Sequence, residues 1–463
     1  MQIRVSNKLI ITDYPKAVRD WCNKNLILAN PEYHKKERMG LWTGSTPRWI
    51  WLFEEIGGEL HVPFGCVRNL NNEFCGNIVY DYQIQPIRKF LYRSNINLYP
   101  YQEIAVKSVL ERKNGILVAP CGSGKTNMGM EIISRIGGRT LWLTHTQDLL
   151  NQSYNRALSV FDDIPLADYG RITAGKVYIG KGITFATVQT LSRLNLSQYK
   201  DLWDVIIVDE CQHCCGSPTK VTQFYKVISS LSARYKIGLT ATPKRADGLE
   251  QSMFALLGDV IHEVSREEVK ETTCPVKVFQ CDTNYQPNYN AILMGDGTIN
   301  YAKLVDDLVD DENRYLTVFK KLEDIKTSAI VLANRVRYLQ KLNKDFNKFV
   351  GKSICLSMLG NSKKAKAERK EALRKLNDGE IDCIFATYQL AKEGLDCPNL
   401  RYVVFATPEK DETTVIQSVG RVGRKSEGKE YGTVIDFIDD FGMYRGWAKK
   451  RVGYYKKIDA EVL

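Results

Sequence analysis

The chain lacks any uncharged apolar run of roughly 18 residues, the length a bilayer-spanning helix needs. It also lacks a secretory start: the opening MQIRVSNKLIITDYPKAVRD breaks its apolar stretch with charge and has no signal-peptide centre. The 12 cysteines are not spaced as the disulfide framework of a small secreted domain. Their tightest cluster, Cys211, Cys214 and Cys215 around His213, has no second CxxC or His pair to complete a tetrahedral metal site. Cys66 and Cys75 are a further pair without partners. Membrane-spanning and disulfide-stapled classes are thereby set aside, and a cytoplasmic protein with reduced cysteines is expected.

What is present is globular. Apolar residues make up 44% and charged residues 26% of 463 positions, enough chain for two or three domains. Lys and Arg outnumber Asp and Glu by 65 to 54, a net +11 that suits a polyanionic partner.

Residues 1–95 differ from the rest. Trp21, Trp42, Trp49 and Trp51 lie among Lys35, Lys36, Arg38 and Arg48, with helical spacing over 14–28. Short strands are expected at 49–53 and 59–64, with Gly57 and Gly58 as a hairpin turn between them. This predicts a small α+β accessory domain. Its aromatic and basic residues suit either base stacking with phosphate contact or a core with a solvated rim.

From residue 96 the pattern becomes short β-rich runs alternating with helical stretches. The runs begin at 115, 140, 183 and 205, and a second set begins at 329, 383, 402 and 433. The fold class is therefore α/β, with two tandem parallel-sheet domains at 96–272 and 273–463 and an irregular insert at 281–300.

APCGSGKT at 119–126 follows a β run and opens a helical stretch, the context a phosphate-binding loop requires. Gly122 and Gly124 permit the tight turn that aims backbone N–H groups of Pro120–Thr126 neighbours such as Cys121 and Ser123 at phosphate oxygens. Lys125 can neutralise the β- and γ-phosphates of ATP, and Thr126 can complete the coordination of Mg2+. VIIVDE at 205–210 is a buried strand ending in two acids, facing the crevice where open α/β sheets bind ligands. Asp209 is positioned to hold the metal and Glu210 to deprotonate the attacking water.

With these motifs the chain from about 98 onward resembles superfamily 2 helicases of the DExH type, whose fold is a pair of RecA-like domains. LYPYQ at 98–102 resembles the adenine-reading Q element, which implies that Gln102 reads the base edge; Tyr99 stands where that element commonly carries Arg. THTQDLLNQ at 144–152, FATVQTL at 185–191 and GLTATP at 238–243 resemble motifs Ia, Ib and III. The resemblance makes Thr146, Gln189 and Thr190 strand contacts and gives Thr240 and Thr242 a part in coupling hydrolysis to strand movement. ATYQLAKEGLD at 386–396 and QSVGRVGR at 417–424 resemble motifs V and VI, implying nucleotide contacts at Asp396 and Gln417 and a strand contact at Thr387, with Asn334 and Arg335 after the β run 329–333 as further candidate strand contacts. Arg421 and Arg424 would bring guanidinium charge to the transferring phosphoryl group.

The stretch GLTATPKRADG at 238–248 is similar to the XPB, RadD and phage UvsW group, and the size and accessory domain look UvsW-like. This implies a DNA helicase or translocase for branched or forked DNA in replication, recombination or repair. It also implies a bacterial or phage-infected host cytoplasm and, as a candidate partner, a replication or recombination protein. One departure concerns coupling: Gln212 occupies the position where the group usually has His. Gln can donate and accept hydrogen bonds but carries no proton's charge. The alternatives are an RNA helicase, the motor subunit of a restriction-type complex, and a nucleotide-switched clamp. The basic, aromatic stretch 443–457 reads as a terminal helix, with nucleic-acid contact or a solvated basic face as its two readings.

Overall fold

The computed structural model describes the chain except for residues 77, 219, 246, 271, 357–362, 393–396 and 398. It forms two compact units, Met1–Pro120 with Gly124–Ser265, and Cys121–Ser123 with Arg266–Leu463.

The first unit opens with a five-stranded sheet ordered Glu54–Ile56, Glu59–Pro63, Lys8–Thr12, Gln2–Val5, Val79–Tyr82. Alternation in Lys8–Thr12 buries Leu9 and Ile11 against the helix Lys16–Asn25, which contributes Val18 and Cys22 to the same core. The hairpin differs from the sequence expectation. Gly57 and Gly58 do turn, at φ 58° and 82°, but the strand they join to Glu59–Pro63 is Glu54–Ile56. Trp49–Trp51 pairs instead with Ile27–Ala29. Ile50 faces the core from that ribbon, and the buried Leu52 and Phe53 carry the chain across to the larger sheet.

This accessory part is seated on the same unit's large sheet. Gly65 lies so close to the end of the helix Glu250–Leu257 that an added Cβ would stand 2.5 Å from the Phe254 carbonyl oxygen. Asn7 Nδ2 donates to the Ser229 carbonyl at 2.6 Å. Lys236, fully buried on the strand Tyr235–Thr240, donates through Nζ to the carbonyls of Asn7 (3.3 Å) and Ile228 (3.0 Å). Its ammonium also lies 4.7 Å from the Phe64 ring centre.

The large sheet has eight strands, ordered from Lys176–Tyr178 through Tyr169–Thr173, Ile183–Thr187, Thr140–Thr144, Val205–Asp209, Tyr235–Thr240 and Asn114–Val118 to Val260–Glu263. Only the Lys176–Tyr178 pairing is antiparallel. The central strands are buried along their whole length, as a parallel sheet covered on both faces demands.

The second unit holds a seven-stranded parallel sheet, ordered Ser353–Leu356, Cys383–Thr387, Ala329–Ala333, Tyr402–Phe405, Gly432–Ile438, Val276–Asp282, Glu461–Val462. The stretch expected to be an irregular insert is partly regular and partly core. Residues 281 and 282 finish a strand, Tyr289–Ile292 is a helical turn, and Tyr285 and Ile292 are buried. Two buried ion pairs lock this unit: Arg314 Nε to Asp439 Oδ1 at 2.6 Å and Arg451 Nη2 to Asp436 Oδ1 at 2.7 Å. Arg451 sits on the terminal helix Gly442–Lys457, whose Tyr444 and Tyr455 are also buried, whereas Lys449 and Lys450 face solvent. Among the described residues no helix is long and apolar enough to cross a membrane.

Candidate nucleotide site and strand-facing rim

Strand order turns a scattered set of motifs into one edge. At the carboxyl ends of neighbouring strands lie, in spatial order, Thr187, Thr144, Asp209, Thr240 and Val118. The residues that follow those ends are the sequence-predicted site residues, so motifs far apart in the chain converge where open α/β sheets bind ligands.

The loop after Val118 makes its turn with Gly122 and Gly124 at φ 85° and 79°, a region that costs a side-chain-bearing residue steric strain. Gly124 then caps the helix Lys125–Ile136, whose N-terminus is an anion-favouring end. Lys125 Nζ donates to the carbonyl of Ala119 at 3.1 Å, bracing Ala119 and Pro120 of the loop. Thr126 is the next residue on the same first turn. Gln102, buried on the helix Pro100–Arg112, accepts the Tyr99 N–H through Oε1 at 3.0 Å. A Cβ on Gly124 would stand 2.6 Å from Gln102 Nε2, so the second loop glycine is what admits the Gln102 amide.

Asp209 is buried, and its carboxyl is pushed up by that burial and then by the neighbouring Glu210, while Lys125 and the Glu210 N–H pull it down. A buried oxygen donor with this charge environment fits a divalent cation, with the Thr126 hydroxyl as a second oxygen. Glu210 sits at φ 52°, unusual for a residue with a side chain, and this turns the chain off the strand into the 3₁₀ turn Cys211–His213.

That turn carries the residue the sequence singled out as a departure. Gln212 Nε2 donates to Glu210 Oε2 at 2.7 Å, and its Oε1 accepts the Thr240 hydroxyl at 2.7 Å. Thr240 Oγ1 in turn accepts the Thr242 N–H at 3.0 Å. A carboxylate only accepts, so the amide must present its NH2 to Glu210 and its oxygen to Thr240. An amide therefore joins the acid to the Thr240–Thr242 segment without a titrating group. Arg245, which sequence reasoning left without a role, donates to the Gln212 carbonyl and pairs with Asp247 at 2.7 Å.

Along the rest of this edge, Thr146 caps the helix Gln147–Val160 by accepting the Leu149 N–H at 3.3 Å. Gln189 Nε2 donates to the His145 carbonyl at 2.5 Å, and Thr190 Oγ1 accepts the Thr187 hydroxyl at 3.0 Å. Cys211 and Cys214 are buried in the sheet's core, where burial raises their thiols.

In the second unit, Gln417 and Arg421 lie on the helix Glu412–Val422, with Arg424 just beyond its end. Asn334 and Arg335 follow the strand Ala329–Ala333, and Thr387 ends the adjoining Cys383–Thr387. Asn334 Nδ2 donates to the Pro408 carbonyl at 3.2 Å, and Arg335 Nε pairs with Asp306 at 2.8 Å, so both are engaged within their own unit. Thr387 Oγ1 accepts the Leu390 N–H at 3.4 Å. Asp396 lies outside the described residues.

Parallel-sheet domains with a phosphate loop and a strand-end acid pair define the class of P-loop nucleotide hydrolases. Residues 95–245 match the family described as "Type III restriction enzyme, res subunit", and residues 313–426 match "Helicase conserved C-terminal domain". The chain is a superfamily 2 helicase related to the XPB-type enzymes. It is 26% identical to "DNA 3'-5' translocase XPB2" of Sulfurisphaera tokodaii over 73% of this chain and 81% of that one. It is 27% identical, over 80% of this chain and 70% of that one, to a protein of Acanthamoeba polyphaga mimivirus named as a candidate ATP-dependent RNA helicase. In fold it is similar to S. cerevisiae Dbp5, at 16% identity and a TM-score of 0.56 over 79% of this chain and 90% of Dbp5.

Proposed function

We propose that the protein is an ATP-driven DNA translocase for branched or forked DNA, built from an accessory domain at 1–95, an ATP-binding domain at 96–272 and a second RecA-like domain at 273–463. The observation that carries the reading is the bridge from Glu210 through Gln212 to Thr240, because it ties the hydrolytic acid to the segment expected to move strand. A clamp that never hydrolyses has no use for such a link.

In this reading Lys125 and the loop N–H groups hold the ATP phosphates, Gln102 and Gln417 hold the nucleotide, and Thr126 and Asp209 hold Mg2+. When bound, that ion neutralises phosphate charge. Glu210 takes the proton of the attacking water, and Arg421 and Arg424 bring guanidinium charge to the transferring group. Thr146, Gln189, Thr190, Asn334, Arg335 and Thr387 contact strand phosphates, so affinity falls steeply with salt and sequence preference is weak. The similarity to a protein named as a DNA translocase supports DNA as the polymer, and the accessory surface supports a substrate with unpaired bases. Trp42 is 88% exposed, Trp49 and Trp51 face outward, and the Arg48 guanidinium lies 5.8 Å from the Trp49 ring centre. These are stacking platforms beside positive charge, suited to the unpaired bases at a fork. A replication or recombination protein, in the cytoplasm of a bacterial or phage-infected cell, is the further partner this role calls for.

The test is steady-state ATP hydrolysis with no polymer, single-stranded DNA, duplex DNA, a four-way junction and RNA. Strongest stimulation by junction or fork DNA supports the reading. Strongest stimulation by RNA replaces it with an RNA helicase, and binding without hydrolysis on every polymer overturns the motor.

A further inference from the structure

Two successive residues of the 3₁₀ turn after Glu210 reach in different directions. Gln212 goes to Thr240, as described. His213 goes to the neighbouring strand's loop: its ring centre lies 4.1 Å from that of His145, with the planes inclined by 39°. Strand order explains the meeting, since Thr140–Thr144 is the strand directly beside Val205–Asp209 and His145 is the first residue beyond it.

We propose that the His145–His213 contact is the link through which nucleic acid at the Thr146 and Gln189 loops sets the position of Glu210, which makes both histidines positioning residues; this rests on the motor reading above. On the strand side, the His145 carbonyl accepts the Gln189 amide at 2.5 Å, and the next residue, Thr146, caps the helix Gln147–Val160. A phosphate gripped by either residue therefore acts on the backbone of His145. On the hydrolytic side, the His213 N–H donates to the Glu210 carbonyl at 3.1 Å, closing the turn that starts from Glu210's left-handed backbone. Displacing the His213 ring moves the peptide that aims the carboxylate.

His145 Nδ1 has no hydrogen-bond partner, so no side-chain hydrogen bond through that atom fixes the ring. Burial and the adjacent His213 hold the His145 imidazole neutral, with its pKa pushed down to about 3. The contact is thus one of tilted rings packed together rather than of charges, the kind of packed connection through which two sites can bias a shared element. It runs parallel to the Gln212 bridge, so one turn serves the Thr240 segment and the strand loop by separate side chains.

The experiment uses the full chain carrying His145→Ala, His213→Ala, both together, and both as Phe. ATP turnover is measured with and without an oligo-dT single strand, and the affinity for that strand is measured in ADP and in a non-hydrolysable ATP analogue. Each Ala variant is expected to lower the ratio of strand-stimulated to basal turnover by about tenfold, within the range of ordinary intersite coupling. It should also shrink the difference between the two strand affinities. The double Ala variant should lose no more than either single one, and the double Phe variant, which keeps two rings in contact, should recover most of the ratio. An unchanged ratio, equal losses of basal and stimulated turnover, or additive losses in the double variant would each overturn the link. If the wild-type chain hydrolyses no ATP on any polymer, the motor reading fails and the link falls with it. Stimulated wild-type turnover with an unaffected ratio in the variants removes the link alone.

Discussion

Lys236 offers the sharpest physical test of how the accessory part is fastened. It is a fully buried ammonium with no carboxylate in ion-pair distance among the described residues. Two carbonyls and the Phe64 ring favour the charged form, yet burial wins, and its pKa is pushed down from 10.5 to about 7. The sign follows from proton counting. Between those two pKa values the unfolded chain holds the proton and the folded chain has released it, so stability rises with pH across this window. Below about pH 7 both states are protonated, the full cost of burying the charge is felt, and the curve is flat in this group. A pH unit well inside the window contributes about 1.4 kcal/mol, and because the folded group is half-deprotonated at pH 7 the gain between pH 7 and pH 9 is about 2.3 kcal/mol. Lys236→Met keeps the straight chain but removes the titration. Urea unfolding followed by tryptophan fluorescence, with Trp21, Trp42, Trp49 and Trp51 reporting on the accessory part, should show the wild type gaining about 2–3 kcal/mol more than the variant over that interval. Other titrating groups cancel in the difference. Parallel pH profiles would refute the reasoning and mean that the carbonyls and the ring hold the ammonium charged.

Glu210→Gln should reduce turnover by about a thousandfold or more while ATP still binds, and Lys125→Glu should abolish both, as read by hydrolysis and nucleotide titration. Gln212→His should leave ATP turnover largely intact while making unwinding pH-sensitive, because a titrating ring would replace the amide between Glu210 and Thr240; equal unwinding by both proteins over about pH 6 to 9 would sink this. Gly124→Ala should cost nucleotide affinity beyond what a strained φ of 79° explains, since the new methyl displaces the Gln102 amide. Asp439→Ala should destabilise the second unit by about 3–5 kcal/mol in thermal unfolding, because it leaves Arg314 as an uncompensated buried charge.

Much of this was readable in one dimension because it is written in contiguous residues. The phosphate loop needs Gly122 and Gly124 next to Lys125 and Thr126, and the acid pair needs an apolar strand before it, so period and spacing suffice. The two sheets were readable for the same reason: strands buried on both faces are unbroken apolar runs. The accessory ribbon was not. Whether Trp49–Trp51 pairs with residues ahead of it or behind it depends on which partner buries Ile50, and no local pattern states that.

The sequence by itself determined the chemistry at each motif and that Gln212 could not carry a proton. The tertiary structure decided which motifs are neighbours. Strand order in a parallel sheet is set by helix packing over both faces and does not follow chain order. It put Thr144 beside Asp209 and Thr240 on the other side. That arrangement gave Gln212 a hydroxyl to join to Glu210, set His145 against His213, and left Lys236 buried where the accessory part is seated.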